Sequence, residues 1–300
     1  MSARPPRVSA AGVVNLARVE RRFYAVEVAY EGGRFRGFQR QPGLPAVQAA
    51  LEDALAALGI RAPLAVAART DAGVHALAQV VSFAARAELD PEGLRRALNA
   101  ALPDGIAALA VHRVGRTFHA RADALSRTYV YLVGAPAPEC ARGYAWSLPD
   151  PRAFPGLEAP ALDADALRAA VSLAVGTHDF RAFARPGDQR GTVRTVLRAD
   201  VISAEWAPLH AIVLEGRGFL RAMVRNLVGT AVAAAVGRGP PDAIRELLLA
   251  GAPPPQPRFA GRWWSGDKRY RGVRAPGWGL TLARVTYRPG MLGTAAAADR

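Results

Sequence analysis

The stretch RRFYAVEVAYEGG at 21–33 constrains the fold more than any other. Tyr24, Val26, Val28 and Tyr30 alternate with their neighbours, the two-residue period of a strand covered on one face, and Gly32-Gly33 closes the run. The segment AVQAALEDALAALG then sets Val47, Leu51, Leu55 and Leu58 along one helical stripe that stops at Gly59. A strand with one apolar face, followed by an amphipathic helix, calls for a sheet that buries that face under helices.

The same alternation continues. Strands are predicted over 79–84, 106–113, 128–133, 193–204, 210–217 and 279–287. Helices are predicted over about 90–101, started by Asp90-Pro91, over 163–175, started at Asp163, and over 219–236 and 241–250. This is the pattern of an α+β protein of two halves, each a mixed or antiparallel sheet with helices packed on one face. Prolines between 135 and 162 mark the crossover between halves. The expected organisation is a mobile arm over 1–22, one half over 23–140, a second over 160–287 and a disordered tail over 288–300. Residues 251–279 read as a loop, in which Trp263, Trp264 and Tyr270 lie among Arg258, Arg262, Lys268, Arg269, Arg271 and Arg274. Such a mixture either stacks on bases and holds phosphates or caps the edge of a core.

Charge narrows the partners. The net charge is +14, from 39 basic and 25 acidic residues. Every basic residue but Lys268 is Arg, which codon bias can explain; codon bias does not explain the excess of cations over acids. A basic surface gains affinity for nucleic acid by releasing its counterions. The single cysteine, Cys140, excludes an internal disulfide and a cysteine-based zinc site. No run approaches eighteen uninterrupted apolar residues, so no membrane span is expected and the cytoplasm is the expected compartment.

The chemistry-bearing candidate is Asp71, in AARTDAGVHALAQVV at 67–81. A carboxylate in a small-residue loop can approach a substrate closely and act as nucleophile or base; an Asp before Gly is also a common turn former. Asp71 and His75 are four apart, a metal-ligand spacing on a helix, but His112, His119, His178 and His210 add no ligand-like spacing. No G-x-S-x-G elbow, P-loop or strand-linked G-x-G-x-x-G is present, so neither a metal nor a nucleotide cofactor is expected. Arg127 and Tyr129 set a cation and a phenol at a strand end. Arg225 lies between Val224 and Asn226 in an otherwise apolar helix and needs a partner, most naturally a carboxylate; a structural salt bridge and a catalytic-site pairing explain it equally well.

RTDAGVHA at 69–76, FHAR at 118–121, SRTYVY at 126–131, HDFRAF at 178–183, RTV at 194–196, MVRNLVG at 223–229 and GLTL at 279–282, with GRFRGFQRQ after the first strand, resemble in order the TruA-type tRNA pseudouridine synthases. The resemblance runs from about residue 23 to 287. It implies two related halves around a basic cleft, a homodimer that binds tRNA across both subunits, and isomerisation of uridine at tRNA positions 38, 39 and 40 without metal or cofactor. By the same resemblance Asp71 is the catalytic aspartate, Tyr129 stacks on the target base and Arg225 pairs with Asp71. Arg69, His75, Arg121 and Arg127 fall in the motifs as substrate-binding candidates. Ala68 stands where the family usually has Gly, and Phe38 where Trp is common. Two rivals predict different behaviour: a catalytically silent RNA-binding protein tolerates loss of Asp71, and a metal hydrolase built on Asp71 and His75 fails in chelator.

Overall fold

The computed structural model describes residues 21–158, 161–185, 191–250, 262–264 and 271–292. The chain opens with β1 (Arg22–Tyr30), a 3-10 turn at Gly32–Arg34 and α1 (Val47–Ala57). It continues through β2 (Ala65–Val66), β3 (His75–Ala85), α2 (Pro91–Ala101), β4 (Ile106–Val114), β5 (Ser126–Gly134) and β6 (Ala145–Ser147). After these come α3 (Ala164–Ser172), β7 (Gly176–Asp179), β8 (Val193–Ser203), β9 (Leu209–Gly216), α4 (Met223–Ala235), α5 (Ala243–Ala250), β10 (Arg262–Trp264), β11 (Arg271–Val273) and β12 (Leu280–Thr286). The α+β class follows from the sequence pattern as expected.

The two halves merge into one sheet, in the order β4-β1-β3-β12-β5-β9-β8-β7, with β2 on β3 and β6 on β5. The join is β12, parallel to β3 and antiparallel to β5. On β5, Arg127, Tyr129, Tyr131 and Val133 are buried on one face, while Thr128, Val130 and Leu132 on the other are half-buried. Helices α1 and α2 serve the β4-β1-β3 side; α3 packs on β8 and α4, and α5 on α4.

Local chemistry places the helix starts. Asp90 accepts from Gly93 N–H at 2.7 Å with Pro91 in the first turn, and Asp163 accepts from Asp165 and Ala166 N–H, so both N-caps stand where the sequence put them. Besides the short strands β2, β6 and β7, which the alternation did not predict, three segments differ from expectation. β3 begins at His75 rather than 79, because β1 and β12 flank it and an interior strand lacks clean alternation. α4 begins at Met223 rather than 219, because Ala222 adopts φ 64° and interrupts the helical path. Within 251–279, β10 pairs with β11; the aromatic and basic residues between 265 and 270, like those of 251–261, the arm over 1–20 and the tail over 293–300, lie outside the described residues.

Helix α4 is buried almost throughout, and its small residues let backbone approach it: a Cβ on Gly229 would stand 1.7 Å from the Val273 carbonyl oxygen. The segment that follows β11 is thereby held against α4, and Ala275 N–H donates to the Arg225 carbonyl at 3.1 Å.

Candidate active site

A cleft of about 1410 Å³ opens where the β3, β5 and α4 segments converge. Eleven arginines line it and Asp71 is its one carboxylate among the described residues, so its field favours a polyanionic ligand.

Asp71 sits in the turn that leads into β3. Its carbonyl accepts from Val74 N–H at 3.2 Å, and Gly73 takes φ 80°, a conformation that favours glycine. The turn is packed backbone to backbone: a Cβ on Gly277 would stand 2.3 Å from the Ala72 carbonyl oxygen. The Asp71 side chain is 24% exposed, with Oδ2 3.3 Å from Arg225 NH1 and Oδ1 3.8 Å from Arg221 Nε. Arg225 is fixed from behind, its Nε donating to the Ala275 carbonyl at 2.8 Å. The carboxylate that the apolar helix demanded for Arg225 is therefore Asp71. The left-handed Ala222 lies between Arg221 and α4 and lets the chain turn so that both guanidinium groups face Asp71; its conformation costs on the order of 1 kcal/mol.

Tyr129 is buried in the cleft wall, edge-on to Phe219 with ring centroids 5.4 Å apart. Burial pushes its phenol well above the usual tyrosine range, so at neutral pH it offers a neutral ring for stacking. Arg69 and Arg121 are exposed on the cleft wall, as a phosphate-contacting residue must be.

Two of the expected substrate contacts have other work. Arg127 touches the cleft, but its guanidinium is buried and bound to four carbonyls: Ala67 through Nε and NH2, at 3.2 and 2.9 Å, Arg217 at 2.8 Å, Arg121 at 2.8 Å and Ala124 at 3.1 Å. Burial pulls its pKa below the usual arginine value. It ties together the strand before Asp71, the turn after β4 and the end of β9. His75 is 4% exposed and absent from the cleft wall. Its Nδ1 accepts from Gly32 N–H at 3.1 Å, so Nε2 carries the proton and donates to the Gly143 carbonyl at 3.1 Å. Burial holds it below the ordinary histidine value. With both ring nitrogens occupied, His75 is a neutral pin between β3, the 3-10 turn and the 143–144 loop. Among the described residues no three His, Cys, Asp or Glu side chains cluster so as to hold a metal ion, and no helix is long and apolar enough to cross a membrane.

Several residues at the site were not singled out by sequence. Arg221 gave no signal beyond charge. Arg274, by contrast, is one of the cations read from the 251–279 segment; it lines the cleft and donates to Asn226 Oδ1 at 3.1 Å, and burial and the adjacent Arg225 pull its pKa down. Beneath the turn, Tyr30, Thr70 and Gln79 form a buried polar chain, and the lone Gln within LAQVV was the available hint.

Comparison with known proteins agrees with this geometry. A family model described as tRNA pseudouridine synthase matches residues 27–122 and 169–288, two segments consistent with two related halves. The chain is 38% identical over 272 residues to tRNA pseudouridine synthase A of Methylacidiphilum infernorum, covering 89% of this chain and 96% of that protein. It is 39% identical over 232 residues to the protein of that name from Pseudothermotoga lettingae, covering 76% and 90%. With the Neisseria gonorrhoeae protein of that name the identity is 42% over 218 residues, 72% and 78% of the two chains. The arginine-lined cleft around Asp71, the buried tyrosine beside it and these matches lead to one assignment: the chain belongs to the tRNA pseudouridine synthase family, isomerases that act on uridine in tRNA.

Proposed function

We propose that the protein isomerises uridine to pseudouridine at positions 38, 39 and 40 of the tRNA anticodon stem-loop, with Asp71 as the catalytic residue. The observation that carries this reading is the pairing of Asp71 with Arg225 and Arg221 in an arginine-lined cleft that also presents the Tyr129 ring.

The reaction breaks the bond from the ribose anomeric carbon to ring nitrogen 1 and forms one to ring carbon 5. The proton on carbon 5 is lost, and nitrogen 1 gains one. One carboxylate suffices for this: Asp71 either attacks the anomeric carbon or removes the neighbouring 2′ proton. The target nucleotide must first leave the helical stack, at a cost of a few kcal/mol, and stacking on Tyr129 offsets part of it. The arginines bind the flanking phosphates, with Arg69 and Arg121 as surface contacts. The choice of positions 38 to 40, a homodimer carrying tRNA across both subunits and a cytoplasmic location rest on the motif resemblance.

The test is Asp71→Asn. On unmodified tRNA transcript it should bind with near wild-type affinity yet release no tritium from uridine labelled at carbon 5. Mapping pseudouridine in tRNA from cells with and without the protein reads the positions. An active Asp71→Asn variant removes Asp71 as the catalyst, and an inactive wild-type protein that still binds tRNA points to an RNA-binding role instead.

A further inference from the structure

The polar chain beneath the Asp71 turn has a direction. Gln79 is fully buried, and its amide is oriented by the backbone of Ala68: Nε2 donates to the Ala68 carbonyl at 2.7 Å, and Oε1 accepts from Ala68 N–H at 3.2 Å and Val80 N–H at 3.2 Å. Reversing the amide would set like against like at both contacts. Its remaining N–H is therefore aimed at the Tyr30 hydroxyl, 3.3 Å away.

Tyr30 is buried, and its hydroxyl has two polar neighbours among the described residues, Gln79 and, at 2.7 Å, Thr70 Oγ1. Because Gln79 donates to it, the phenol must pass its own proton to Thr70 or leave a buried donor unpaired. Burial pushes this phenol up to about 12, so it keeps that proton at neutral pH. Thr70 Oγ1 thus accepts from Tyr30, and its own proton has no acceptor within hydrogen-bond distance among the described residues. Thr70 is 7% exposed and lines the cleft directly before Asp71. The backbone around it is held as well, since its carbonyl accepts from Phe38 N–H at 3.1 Å.

We propose that Thr70 is a second substrate-contacting residue, which donates its hydroxyl proton to an acceptor oxygen of the flipped uridine beside Asp71 and is oriented for this by Gln79 through Tyr30. This rests on the pseudouridine synthase reading. A donor with no protein acceptor to rotate back to needs little reorganisation when charge develops on the substrate, and such donors act mainly on turnover.

The experiment compares wild type, Thr70→Val, Thr70→Ser and Tyr30→Phe in single-turnover pseudouridine formation on unmodified tRNA transcript, with tRNA affinity measured by filter binding. Thr70→Val should slow the step on the order of 100-fold with tRNA affinity unchanged within about twofold. Thr70→Ser, which keeps the hydroxyl, should recover most of the rate. Tyr30→Phe, which frees the Thr70 hydroxyl to rotate, should slow it about 10-fold. A wild-type rate for Thr70→Val, or a Thr70→Ser rate as low as that of Thr70→Val, overturns the proposal. If Thr70→Val does not fold, a slow Tyr30→Phe beside an active Thr70→Ser supports it, and a wild-type rate for Tyr30→Phe overturns it. Absence of product from the wild-type protein on any tRNA would overturn the synthase reading itself, a failure distinct from these.

Discussion

Arg225 reaches Asp71 across 154 positions of sequence, NH1 to Oδ2 at 3.3 Å, while its Nε holds the Ala275 carbonyl at 2.8 Å. One guanidinium therefore joins the turn before β3, the first turn of α4 and the chain leading to β12. Lysine supplies the charge but cannot reproduce two divergent N–H directions. Arg225→Gln should lower single-turnover pseudouridine formation by roughly 10- to 100-fold, with Arg225→Lys falling between that variant and wild type. Equal rates for the lysine variant and wild type would show that charge alone matters.

Gly277 and Ala72 meet through their backbones. A methyl at 277 would stand 2.3 Å from the Ala72 carbonyl oxygen, so one strand of chain has to move. Gly277→Ala should lower unfolding free energy by about 1–3 kcal/mol in urea titrations and also reduce turnover, because Ala72 directly follows Asp71. An unchanged urea midpoint would mean that the two segments separate freely.

Tyr129 should act through its ring. Tyr129→Phe keeps the edge contact with Phe219 and the stacking surface, so most of the turnover should survive. Tyr129→Ala removes both and opens a cavity, costing about 3–5 kcal/mol of stability as well as activity. Activity lost equally in the two variants would move the role from the ring to the hydroxyl.

His75 makes stability depend on pH in a definite direction. Burial holds its native pKa below the ordinary value of 6.5, so below that pH the unfolded chain binds a proton that the native protein refuses. Native stability from this group is then complete above pH 6.5 and declines as pH falls through the window beneath it. Urea titrations at about pH 7.5 and 5.5, spanning the histidine range, should show the gap between wild type and His75→Gln narrowing in acid. A gap that stays constant would mean that His75 takes up its proton in the native state. The other histidines are common to both proteins and cancel in the difference.

Much of this was legible in the residues. Alternation in β1, the stripe of α1 and the caps at Asp90 and Asp163 each report a local requirement, and local requirements are written locally. The need of Arg225 for a carboxylate was equally visible, since a cation in an apolar helix demands one. What periodicity does not carry is the identity of a neighbour. Nothing in LTLARVT says that β12 lies between β3 and β5, and nothing in TFHARADALSRTY says that Arg127 is enclosed by carbonyls rather than aimed at phosphate. Both facts arise from contacts between segments far apart in sequence. His75 misled for a related reason: four residues from Asp71 suggests a shared helical face, but the segment turns at Gly73 and enters a strand.

The place of β12 bears on how the molecule comes into being. A ribosome delivers Asp71, Tyr129 and Arg225 long before it delivers Leu280, yet among the described residues it is β12 that joins the strand after Asp71 to the strand of Tyr129. Without β12 the strands fall into two partial sheets whose edges, β3 and β5, are covered only in part by β2 and β6, the kind of edge that invites foreign strands. Pairings between segments so far apart in sequence are intrinsically slow to form. Until Leu280–Thr286 is in place, the Asp71 turn and the strand of Tyr129 lack the strand that lies between them, and edge exposure is greatest just before that segment docks.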